Sequence, residues 1–134
     1  LTASRRRENG GVVGLGLDLV EVERVAEALD RHGERLVRRI CCEREREQWS
    51  RETDGPRTLA IRFAVKEACL KALGTGWADG LAFPQVEVDL RSGSTATIRL
   101  RGAAEERARR SGASSALASV ADAGGVIAAL VVIA

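Results

Sequence analysis

A chain of 134 residues, 45% hydrophobic and 30% charged with a formal net charge of +2, is ordinary globular composition and long enough for one domain with a buried core. Aromatic residues make up 3% and tyrosine is absent, which leaves few platforms for stacking nucleobases, and the small net charge gives no general pull on a polyanion. Nucleic acid is therefore not an expected partner. The C-terminal apolar run 126–134 is far shorter than the roughly 20 residues of a membrane-spanning helix, so no membrane partner is expected either. Cys41 and Cys42 are adjacent and Cys69 falls inside a predicted helix, which does not describe a disulfide framework. With no signal peptide visible, because Asp18 and Glu21 break the apolar run after Arg5–Arg7, a reducing, cytoplasmic location is expected.

Residues 1–10 read as a disordered lead-in and residues 11–134 as a single domain. Val12 to Leu19 reads as a glycine-dotted strand. Val20 to Arg31 reads as an amphipathic helix with Val22, Val25, Ala26 and Leu29 at helical spacing, broken at His32-Gly33. Short helices are expected over Glu34 to Ile40 and Glu43 to Arg51, followed by a loop at Thr53 to Pro56 with Asp54-Gly55-Pro56 as its turn. A long helix is expected from about Arg57 to Leu73. Its stripe of Ile61, Ala64, Val65, Ala68, Cys69, Ala72 and Leu73 follows the i, i+3, i+4, i+7 rule, and Gly74 is placed to cap it. The period then changes to two: Val86, Val88 and Leu90 alternate with polar residues, Ser92-Gly93 turns the chain, and Thr95 to Arg101 returns as the second arm of a hairpin. A short helix over Gly102 to Arg110 and strands over Ser114 to Val120 and Val126 to Ile133 complete the pattern. Strands and helices do not alternate regularly, so an α+β fold is expected.

The segment Arg62 to Gly76, RFAVKEACLKALGTG, concentrates the chemistry. Its helical spacing puts Glu67 and Lys71 on adjacent turns. That pair is either an ordinary surface ion pair or half of a site holding a cation and a phosphate together. Asp18 is open in the same way, as a helix N-cap or as a metal ligand at a strand end. Gly14-Leu15-Gly16 lacks the third glycine of a dinucleotide-binding fingerprint, and the carboxylate of Asp18 does not suit a phosphate cradle. The two glycines fit a close approach of this strand to its neighbours better. Arg31, Arg35, Arg38, Arg39, Arg44 and Arg46 make the first third strongly positive, either as a solvated helical face or as a docking face for an acidic partner.

The run Gly14 to Val25, GLGLDLVEVERV, resembles the N-terminal signature of the holo-acyl-carrier-protein synthase family, the small type of 4′-phosphopantetheinyl transferase. RFAVKEACLKALGTG is similar to the family's second signature almost letter for letter, and Pro84 to Val88 is similar to the strand that follows it. The resemblance spans about residues 12 to 133. It implies a 4′-phosphopantetheinyl transferase-like fold, an antiparallel sheet packed against one long helix. It also implies an enzyme that moves 4′-phosphopantetheine from coenzyme A to a serine of an acyl carrier protein, depends on Mg2+ and releases adenosine 3′,5′-bisphosphate. Residue by residue, it implies that Asp18 and Glu67 bind the metal, that Glu67 deprotonates the serine, and that Lys71 neutralises the transferring phosphate. Gly74, Thr75 and Gly76 match the corner that approaches coenzyme A, and Arg24 matches an arginine facing the acidic carrier protein. A homotrimer with sites at subunit interfaces is the assembly implied.

The chain departs from the family's pattern at one place. Leu117 to Asp122 reads LASVAD, with Ala121 where a histidine is expected, which puts the rate or substrate affinity in question. Beside an active transferase stand two other readings: a repurposed relative that binds a carrier protein or its pantetheine arm without catalysis, and an arginine-rich interaction module unrelated to coenzyme A.

Overall fold

The computed structural model describes residues 11–49, 55–74, 80–90 and 95–134. The chain runs β1 (Gly14–Glu21), α1 (Val22–His32), α2 (Glu34–Ile40), α3 (Glu43–Trp49), α4 (Gly55–Ala72), a 3-10 turn (Phe83–Gln85), β2 (Val86–Leu90), β3 (Thr95–Leu100), α5 (Gly102–Arg110), β4 (Ala116–Ala123) and β5 (Val126–Ile133). The strands form one five-stranded sheet in the order β1-β5-β4-β3-β2, with every neighbouring pair antiparallel. The α+β expectation holds, as does the packing of the sheet against one long helix. That helix is α4, which crosses β1 and β5.

Strand alternation decides what the sheet presents. Gly16, Val20, Ala118, Ile127, Ala129, Val131 and Ile133 are buried on the face toward α4. Leu15, Leu17, Leu19, Leu117 and Leu130 point the other way and are exposed. The β4–β5 hairpin closes on Gly124 and Gly125, whose φ angles of 59° and 80° fit the two left-handed positions of a tight hairpin turn.

Several boundaries move. β1 begins two residues later than expected and runs to Glu21, so α1 starts at Val22. Gly55 and Pro56 are not a turn but the first residues of α4, where proline costs nothing because the first helical N–H groups have no intrahelical acceptor. β4 continues to Ala123, paired throughout with β5. Residues 1–10, the expected end of α3 at Arg51, Thr53 and Asp54, and the expected turn at Ser92-Gly93 lie outside the described residues.

The long helix is not amphipathic as its stripe suggested. Arg62 and Lys66 are as buried as Leu59 and Leu70, because a partner from another element meets them. Glu45 of α3, also fully buried, accepts from Lys66 Nζ at 2.6 Å through Oε1 and lies 3.5 Å from Arg62 Nη1 through Oε2. The cluster also satisfies the unpaired edge of β2, the last strand of the sheet. Lys66 donates to the carbonyls of Phe83 and Val86, Arg62 donates to the carbonyl of Val88, and Glu45 accepts from the Val88 N–H. Glu45 further accepts from the Cys42 N–H, the N-terminal half of a capping box for α3.

Candidate functional site

The site forms where β1 crosses α4, and glycine makes the crossing possible. A Cβ on Gly16 would lie 1.8 Å from the Ala68 carbonyl oxygen, and one on Gly14 would lie 2.1 Å from that of Ala72. Strand backbone therefore rests directly on helix backbone. Asp18, two residues beyond Gly16, shares its inward face and meets the next feature of the helix. Lys71 Nζ donates to Asp18 Oδ1 at 3.0 Å and to the Leu17 carbonyl at 3.0 Å. The N-cap reading of Asp18 is thereby removed: it lies inside β1, and α1 is capped at Glu21 without a side-chain bond.

Glu67 completes the group. Its carboxyl is held above the ordinary value, first by burial and then by the nearby charge of Asp18, with Lys71 pulling partly the other way. Lys71 spends its hydrogen bonds on β1, so the Glu-Lys spacing is not a simple surface ion pair along the helix. Two carboxylates and an ammonium from distant parts of the chain thus converge. No group of three or more metal-ligating side chains occurs among the described residues. One or two hard carboxylates, completed by substrate phosphate and water, is a donor set that suits magnesium. Asp18 and Glu67 can supply it, with Lys71 occupying Oδ1 of Asp18 and Oδ2 left to a cation.

Gly74 ends the helix in a left-handed conformation, φ 78°, as its expected capping role requires. Thr75 and Gly76 lie outside the described residues. Arg24 is exposed on α1, 3.5 Å from Glu21. It borders an apolar groove of about 320 Å³ whose floor includes Val25, Leu36, Ile40 and Phe63. Phe63 is one turn before Glu67 on α4, and Leu19 and Val20, which also line the groove, follow Asp18 on β1. Ala121 is exposed on β4 opposite Ala128, in the row that continues to Leu19 on the outer face. Asp18 belongs to the neighbouring row, through Ala129 to Val120, on the inner face. Ala121 therefore does not look into the Asp18 site of its own chain.

Sequence reasoning missed the Glu45–Arg62–Lys66 cluster, and it passed over Arg107, whose Nε donates to the Leu73 carbonyl at the end of α4. None of the cysteines is a candidate nucleophile. All three are free thiols, and burial pushes both Cys41 and Cys69 up to about 12.

Comparison with known proteins bears on the fold and the family. The family profile of the 4′-phosphopantetheinyl transferase superfamily matches residues 14–130. The holo-[acyl-carrier-protein] synthase of Photorhabdus laumondii is 47% identical over 111 residues, covering 83% of this chain and 88% of its own. That of Serratia proteamaculans is 45% identical over the same shares. Among solved structures, the holo-[acyl-carrier-protein] synthase of Neisseria meningitidis superposes with a TM-score of 0.84 at 25% identity, over 92% of this chain and 99% of that one. The Helicobacter pylori enzyme, in complex with coenzyme A, superposes with a TM-score of 0.75 at 25% identity, over 90% and 99%. The paired carboxylates and lysine at the β1–α4 crossing thus sit in a chain that belongs to the holo-acyl-carrier-protein synthase family of the 4′-phosphopantetheinyl transferase superfamily.

Proposed function

We propose that this protein transfers 4′-phosphopantetheine from coenzyme A to a serine of an acyl carrier protein and releases adenosine 3′,5′-bisphosphate. The observation that carries the reading is the convergence of Asp18, Glu67 and Lys71 at a backbone-to-backbone crossing, in a family whose members carry that activity in their names. In the reaction the serine oxygen bonds to the phosphorus bearing pantetheine, the phosphoanhydride bond breaks, and the nucleotide leaves. Magnesium, held by Asp18 and Glu67, would neutralise charge on the diphosphate. Glu67, directly or through a water, takes the serine proton. Lys71 turns from Asp18 toward the phosphate and stabilises the charge that builds on the leaving oxygen.

The carrier protein is expected at the groove bordered by Arg24. An apolar floor for a helix of the partner, rimmed by arginine for its acidic surface, puts the incoming serine one turn from Glu67. The outer face of the sheet supports a homotrimer. Leu15, Leu17, Leu19 and Leu117 are each more than half exposed, a contiguous apolar surface of the kind that marks a protein interface. Because Ala121 shares that face, it would approach another subunit's site rather than its own. A cytoplasmic location is part of the same reading; no helix among the described residues is long and apolar enough to cross a membrane.

The test is a mass measurement on an apo acyl carrier protein incubated with the protein, coenzyme A and magnesium. Gain of one phosphopantetheine group is expected, and Asp18→Asn or Glu67→Gln should lose it while remaining folded. Coenzyme A binding without transfer to any of a panel of carrier proteins would favour the non-catalytic reading instead.

A further inference from the structure

Three charged side chains are sealed in the core of this protein, and the reaction as described touches none of them. Glu45, Arg62 and Lys66 are each 1% exposed or less. Burying an ion pair so deeply is a poor route to stability, because the desolvation of the charges offsets most of their attraction and apolar side chains of like volume serve as well. What such a group supplies instead is direction. Lys66 Nζ spends all three of its N–H groups, on Glu45 Oε1 and on the carbonyls of Phe83 and Val86. Arg62, one turn earlier, donates to the Val88 carbonyl at 2.7 Å, and Glu45 Oε2 accepts from the Val88 N–H at 3.1 Å. Two successive turns of α4 are thus pinned to α3 and to β2.

Consecutive residues on a helix point about 100° apart, so fixing Lys66 fixes the direction of Glu67, with Lys71 one turn beyond on the same face. Side-chain tips lie about 5–6 Å from a helix axis, so a roll of about 10° carries a carboxylate about 1 Å. A misplacement of about 1 Å is enough to slow a reaction about a hundredfold. The contacts on the side of the site cannot hold that roll through the reaction. β1 meets the helix there through the bare backbone of Gly14 and Gly16. The bonds from Lys71 to Asp18 and to the Leu17 carbonyl span the same crossing, but they are given up when Lys71 turns to the phosphate. Arg57 ties α4 to Asp122 from an exposed position about three turns before Glu67. We propose that Glu45 and Lys66 are positioning residues of the transferase, holding the roll of α4 so that Glu67 stays directed at Asp18 after Lys71 has let go. The assignment rests on the transferase reading and adds to it two residues that touch no substrate.

The test needs a variant of the full chain that loses the bonds without stranding a charge. Glu45→Gln combined with Lys66→Met removes one charge of each sign, leaves the net charge of the cluster as it was, and should still fold cooperatively. Its affinity for Mn2+ alone, standing in for magnesium and read by electron paramagnetic resonance, should fall about tenfold, and kcat about tenfold to a hundredfold, at temperatures where the protein is fully folded. KM for the carrier protein should change little, since Phe63 is the one residue of α4 that lines the groove. Lys66→Arg keeps the charge and carries the test where the double variant folds poorly. A planar guanidinium cannot meet three acceptors that surround a single ammonium nitrogen, so this variant should show the same losses in smaller measure. Wild-type kcat and Mn2+ affinity in either folded variant, with only a lower melting temperature, would overturn the proposal and leave the cluster a structural feature of the core. Wild-type protein that transfers no phosphopantetheine to any carrier protein would instead overturn the transferase reading beneath it.

Discussion

Replacing Gly16 by alanine adds a single methyl group, and the structure says how far it must push. The added Cβ would stand 1.8 Å from the Ala68 oxygen, 2.7 Å from its carbonyl carbon and 2.9 Å from the Ala72 nitrogen. Contacts under 3.0 Å essentially do not occur for real Cβ atoms, so β1 and α4 must separate by at least about 1.2 Å. All three opposing atoms are backbone of a hydrogen-bonded helix, so none can swing aside. Asp18 is two residues along the same strand and moves with it. The 3.0 Å contact between Asp18 Oδ1 and Lys71 Nζ would open past hydrogen-bonding range, and the two carboxylates would separate similarly.

The expected result is a stability loss of about 1–3 kcal/mol from overpacking and a transfer rate about a hundredfold lower from the displaced site. Thermal melts and the phosphopantetheine mass-gain assay, run on the same preparation, give both. Gly14→Ala is the control. Its Cβ meets the Ala72 oxygen at 2.1 Å, so it should destabilise comparably, but it lies four residues from Asp18 and should cost less rate. Equal rate losses in the two variants would show that activity follows stability alone. Wild-type turnover in Gly16→Ala would refute the claim that the close crossing builds the site.

Three further outcomes follow. Without magnesium, Glu67→Gln should melt higher than wild type near neutral pH: the folded-state carboxyl is raised, so its ionised form costs stability above that value, and the advantage should fade as the pH falls through it. A melting difference that grows on acidification would contradict the sign. Lys66→Met should lower the unfolding free energy by about 3–5 kcal/mol in denaturant titration, because Glu45 keeps a buried charge without its 2.6 Å partner; a loss under 1 kcal/mol would mean the cluster is dispensable. Leu17→Asp, on the exposed sheet face, should give a monomer by light scattering and lose transfer activity, whereas a wild-type protein already monomeric at assay concentrations would remove the trimer.

How far the sequence could be read depended on whether a residue's environment was local. Gly14 and Gly16 interrupt an otherwise aliphatic strand, and that alone indicates a backbone approached closely. The helix and hairpin periods located α2, α5, β2 and β5 to the residue or nearly so, since their burial patterns repeat within the element. Arg62 and Lys66 went unread because a charged side chain on a helix has solvent as its default. Nothing within α4 announces Glu45, which arrives from α3. A signal existed nonetheless: two cations four residues apart on one face, inside a run otherwise of small and aliphatic residues, ask for a carboxylate from elsewhere. Arg107 had no such signal, since its acceptor is a main-chain carbonyl at the end of another helix.

Lys66 and Glu67 are consecutive, yet one is sealed and the other left for chemistry. On Lys66's side, α4 is fixed by ionic and hydrogen bonds to α3 and to the edge of β2. On Glu67's side, the helix touches β1 through glycine, with no side chain of the strand held against it until Asp18. Rotation of α4 about its axis would swing Glu67 and Lys71 away from Asp18, and the buried cluster is what resists that rotation. Glu67 then needs no bond of its own to stay in place, and its oxygens and the Asp18 oxygen that Lys71 does not engage stay available to a cation and a proton. Rigidity is thus supplied from the face of the helix opposite the site, which is where a site with a mutually repelling Asp18–Glu67 pair has to obtain it.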